Sequence, residues 1–89
     1  MPHRVIYRDL ANHLATLPLS ATCADLAARL RGYKGADAEY LAQLVAAVET
    51  WPGETDYLVG MESMCDEVLK RDNPRFLTLL FMDWVLEER

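Results

Sequence analysis

The chain reads as all-α: a compact bundle of four to five short helices in a single domain spanning residues 1–89. Three observations carry that expectation. Apolar residues recur at spacings of three and four, as on one face of a helix. Ala, Leu, Glu and Arg are plentiful, while alternating runs of β-branched residues are missing. Pro and Gly fall between the periodic segments, at Pro18, Gly32, Pro52, Gly53 and Pro74. A hydrophobic fraction of 52% in 89 residues supplies one small core and not two.

The first helix is expected over about residues 4–17, where Ile6, Leu10, Leu14 and Leu17 share a face and Pro18 ends the run. His13 borders that stripe, and a satisfied histidine is the expected role. The second helix opens on Thr22, whose hydroxyl can accept from the amide of Asp25. Leu26, Ala27 and Leu30 form its apolar edge, and Gly32 is expected to stop it. The third runs from about Asp37 to Trp51 on a stripe of Leu41, Leu44, Val45 and Val48. Its alanines Ala38, Ala42, Ala46 and Ala47 would let a neighbouring helix come close.

The fourth helix is expected to follow Thr55 as its cap. Tyr57, Leu58, Met61, Met64, Cys65, Val68 and Leu69 give it a strong stripe, opposite Glu62, Asp66 and Glu67. Gly60 should weaken it by about 1 kcal/mol relative to Ala. The fifth helix is expected to begin with Asn73 as N-cap and Pro74 in the first helical position. Phe76, Leu77, Leu80, Phe81, Trp84 and Val85 make one broad apolar side; Leu79, Met82 and Leu86 make a second. So much apolar surface predicts a helix at the centre of the bundle, or one shared with a partner.

Charge is uneven. The net charge is −5. Residues 1–44 hold five basic and four acidic side chains, while residues 45–89 hold four basic and ten acidic ones. A nucleic-acid partner needs an attractive field, and the acidic half opposes one. Residues 22–49 still resemble a helix-turn-helix unit in outline, and a nucleic-acid-binding regulator using them is the alternative reading. Against it stand the long connection from Arg31 to Ala36 and a third helix without Lys or Arg. Arg29, Arg31, Tyr33 and Lys34 form a small basic-aromatic group, expected to neutralise a helix end.

No catalytic constellation emerges. Glu62 and Asp66 sit at i and i+4, but acid–base work would need a raised pKa and a substrate cleft, and their stripe is the polar one, where a solvated face is expected. Ser20 and Ser63 lack a GxSxG setting, and no HExxH, EF-hand or glycine-rich phosphate loop is present. Cys23 and Cys65 lack metal-ligand spacing, so buried thiols are expected, with no metal, cofactor or catalytic residue. The charged start and the short apolar runs predict neither a secretory signal nor a membrane span, and hence a reducing, cytoplasmic setting.

By subtraction, the expected function is a small acidic, non-catalytic protein-binding module. The class is that of inhibitors of phage or mobile-element anti-defence, immunity or antitoxin type, which block a partner's surface. The expected binding residues are the acidic face, Glu62, Asp66 and Glu67, and the apolar face, Leu79, Met82 and Leu86. The expected partner is another protein with a basic groove, or a second copy of the chain. A membrane is not expected, nor is direct contact with nucleic acid.

Overall fold

A computed structural model describes residues 5–87. Among the described residues five helices form and no strand. They are α1 (Tyr7–Leu14), α2 (Cys23–Arg31), α3 (Ala38–Glu49), α4 (Tyr57–Met64) and α5 (Thr78–Glu87). α4 runs on without a break into a wider π-helical segment, Cys65–Leu69, and a last turn, Lys70–Asp72. The all-α expectation is met.

Each helix start answers the question of where the first amides find acceptors. At α2 the capping box read from the sequence is present: Thr22 accepts from the Asp25 amide, and the Asp25 carboxylate accepts from the Thr22 amide at 3.0 Å. Two further amides of that turn are taken by another loop. Cys23 donates to the Thr55 carbonyl at 2.7 Å and Ala24 to the Gly53 carbonyl at 3.0 Å. Tyr57 returns the exchange by donating to the Ala21 carbonyl at 3.1 Å. These bonds hold the starts of α2 and α4 side by side. Asp37 caps α3 through the Tyr40 amide at 2.8 Å. Asp56, one residue after the expected Thr55, caps α4 through the Leu58 amide at 2.8 Å, because the first helical residue is Tyr57 and Asp56 stands immediately before it.

The last helix departs from expectation in two ways. Asn73 caps a turn and not the helix: its side chain accepts from the Arg75 amide at 3.2 Å and its carbonyl from the Phe76 amide at 2.8 Å. The helix starts at Thr78, several residues late. Nor does α5 lie at the centre. Phe81 and Val85 are buried, with Phe76 just before the helix, but Leu77, Leu79 and Leu80 stand exposed. α5 rests on α1 and α4 and is open on its far side. The centre belongs to α4, which packs against α2, α3 and α5.

What lets α4 in so close is Gly60. A Cβ built there would lie 2.7 Å from Cys23 Sγ and 3.2 Å from a Val48 methyl, so both neighbouring helices press on the missing side chain. The alanines of α3 do not supply this approach, since Ala38, Ala42 and Ala46 are exposed and only Ala47 is buried. The core gathers Leu10 and Leu14 of α1, Leu26 and Leu30 of α2, Leu44 and Val48 of α3, and Tyr57, Met61 and Met64 of α4.

Tyr57 is fully buried, and its hydroxyl has no hydrogen-bond partner among the described residues. A hydroxyl taken from water without replacement costs free energy. Tyr57→Phe should therefore raise the unfolding free energy by about 1 kcal/mol in a denaturant titration. A loss of similar size would show that the hydroxyl is bonded in the folded chain.

Candidate protein-binding surface

The two sets of residues singled out in the sequence meet in part. Glu62 and Asp66, at i and i+4, project from the outer side of α4 and its π-helical continuation, where both are exposed. Beside them the start of α5 brings Leu77, Leu79 and Leu80. Together with Lys70 and Thr78 these residues line a groove of about 480 Å³. A short hydrogen bond fixes its geometry: the Thr78 hydroxyl donates to Asp66 Oδ1 at 2.6 Å. Thr78 is buried, so this bond also satisfies a polar group at the start of α5.

Glu67 lies elsewhere. It borders a second groove with Gln43, Ala46, Thr50 and Arg71, where Arg71 donates to Gln43 Oε1 at 2.6 Å. Successive residues of a helix point to different sides of its axis, which parts Glu67 from Asp66. The apolar trio divides too. Leu79 is 72% exposed in the groove, Met82 packs against the core, and Leu86 is half-buried.

Leu77 and Leu80 are the groove residues that sequence periodicity assigned to the covered side. For Leu80 a signal existed. Asp83 follows Leu79 by four residues and Leu80 by three, and both Asp83 and Glu87 are exposed. Those two carboxylates mark the solvent side of α5, and Leu79 and Leu80 flank it.

The remaining candidates are absorbed by structure. His13 Nε2 is 2.8 Å from the Arg29 carbonyl at the end of α2, and the ring tilts against Tyr33 at 5.1 Å between centroids. Tyr33 turns inward and donates to Asp9 at 2.8 Å. Burial, reinforced by the Asp9 carboxylate, pushes its phenol up to about 12. A Cβ on Gly35 would lie within 2.9 Å of the Tyr33 ring, so a larger residue there would displace the ring. Arg31 pairs with Glu49 at the surface, where such a pair is worth little. The basic-aromatic group is thereby split. α3, the element a helix-turn-helix would use for reading, shows Glu39 and Glu49 to solvent alongside Ala38, Ala42 and Ala46.

Among the described residues, no three of His, Cys, Asp and Glu converge as a metal site would require. No described helix is long and apolar enough to cross a membrane. No protein-family model, curated protein or solved structure matches this chain.

Both cysteines are buried and free. Burial raises the Cys65 thiol well above its ordinary value, and the neighbouring Asp66 and Glu62 carboxylates push the same way. Burial also raises Cys23, whose Sγ donates weakly to the Asp56 carbonyl at 3.5 Å. Only the thiolate attacks a disulfide reagent. In the native protein at pH 8 both thiols should react no faster than the chain opens, and both should react at once in denaturant. Rapid labelling of either cysteine in the folded chain would contradict this placement.

Proposed function

We propose that this chain is a non-catalytic protein-binding module that acts by covering a partner's surface. Inhibitors of phage or mobile-element anti-defence, immunity or antitoxin type work in this way, in the cytoplasm. One observation carries the reading. Leu77, Leu79 and Leu80 are 63%, 72% and 44% exposed and share one groove with Glu62 and Asp66. The other exposed large apolar side chains among the described residues, Ile6, Leu19, Trp51 and Val59, are not adjacent in sequence, and single exposed apolar residues are ordinary on a protein surface. Covering a leucine completely is worth about 1.5–3 kcal/mol, so a partner that covers three has a substantial driving force.

The experiment is affinity capture from the native host with the wild-type chain and with Leu77→Gln/Leu79→Gln/Leu80→Gln. The replaced side chains are exposed, so the variant should keep its far-UV spectrum. It should lose its captured protein, with affinity for the identified partner falling by at least about tenfold. Equal capture by both chains would reject the groove as the binding surface. Salt-sensitive affinity for a nonspecific duplex would instead favour a nucleic-acid-binding regulator built on residues 22–49. Light scattering that shows a dimer, dissolved by the same substitutions, would make the second copy the occupant.

A further inference from the structure

We infer that the groove between α4 and α5 seats one face of a basic amphipathic helix presented by another protein. The inference rests on reading the chain as a binding module and adds the chemistry of the occupant. The groove is lined by the apolar side chains Leu77, Leu79 and Leu80 and by the carboxylates Glu62 and Asp66. The acidic border continues along α5 through exposed Asp83 and Glu87, at successive steps of four from Leu79. Among the described residues, Lys70 is the one basic side chain lining it.

An apolar strip edged by carboxylates is complementary to a helix with aliphatic anchors at i, i+3 and i+4 and Lys or Arg beside them. The Glu62 side chain is exposed, and its carboxylate makes no hydrogen bond or ion pair with another described residue. Asp66 is held at the rim by Thr78 and needs no rearrangement to meet a cation. The long-range field agrees, because residues 45–89 carry ten acidic against four basic side chains.

The same charges weigh against other occupants. Two copies of this groove facing each other across a two-fold axis would bring Glu62 and Asp66 toward their own kind. An anionic lipid surface would meet the same repulsion.

The test uses fluorescence anisotropy with the full chain and a labelled helical peptide of leucine and lysine in amphipathic order. A leucine–glutamate peptide of the same pattern is the control. The lysine peptide should bind with an affinity that falls as salt rises, and the glutamate peptide should not bind. Glu62→Lys should weaken binding by at least about tenfold, as should the triple leucine-to-glutamine variant, whereas Glu67→Lys, on the other groove, should change it by less than about threefold. Equal binding to wild type and to the leucine variant would mean that only diffuse charge is read, and would overturn the inference. So would equal losses from Glu62→Lys and Glu67→Lys, or no binding at all. Leucine-dependent binding to zwitterionic vesicles without peptide binding would overturn it in favour of lipid. If the peptide fails while leucine-dependent capture of a host protein persists, the binding module stands and the basic helix falls.

Discussion

The structure depends on the space left at Gly60. Three helices meet there, with Cys23 of α2 and Val48 of α3 both lying where a side chain on α4 would otherwise go. Closely packed interiors tolerate little added volume. The exchange of amides between the segments preceding α2 and α4 holds the two helix starts together, so the close approach cannot be relieved by letting the ends part. A glycine in mid-helix is a local liability of about 1 kcal/mol, and here packing outweighs it.

From that contact the rest of the architecture follows. With α4 wedged against α2 and α3, its remaining side is free for α5, and α1 closes over α5. That closure is aromatic: Tyr7 meets Phe76 edge-on at 4.8 Å, Phe76 lies 5.6 Å from Phe81, and Arg8 sits 4.9 Å above the Trp84 ring. A short α1 and one side of α4 cover Phe81 and Val85, but they do not reach around to Leu79 and Leu80. The exposed leucines are thus a geometric consequence of placing the most apolar helix at the edge. The acidic stripe of α4 lies next to them because α5 docks along the same helix that carries Glu62 and Asp66.

Much of this was legible in the residues, and the gaps have physical causes. Thr22 with Asp25 and the stripes of α2, α3 and α4 depend on neighbours a few positions away, so local pattern defines them. Asn73-Pro74 is a good helix start in isolation, yet it makes a turn here, because the Phe76 ring packs inward against Tyr7 before α5 begins. Gly60 shows only its local cost to a sequence reader; the gain lies in contacts with residues 37 and 12 positions away. The pairing of Glu62 with Asp66 follows from helical spacing alone. Which apolar side of α5 is covered depends on the helices laid against it, and within the helix only Asp83 and Glu87 mark the open side.

The central claim is that Gly60 is required by a contact, and a double-mutant cycle tests it most directly. Gly60→Ala should lower stability by about 1–3 kcal/mol, despite the better helix propensity of alanine. In Cys23→Ala the sulfur is gone, and the nearest α2 atom to the new methyl is the Cβ, at an ordinary 3.7 Å. There the same glycine substitution should cost markedly less, giving a coupling of about 1 kcal/mol or more in equilibrium unfolding. Additive effects, or a Gly60→Ala chain more stable than wild type, would contradict the account.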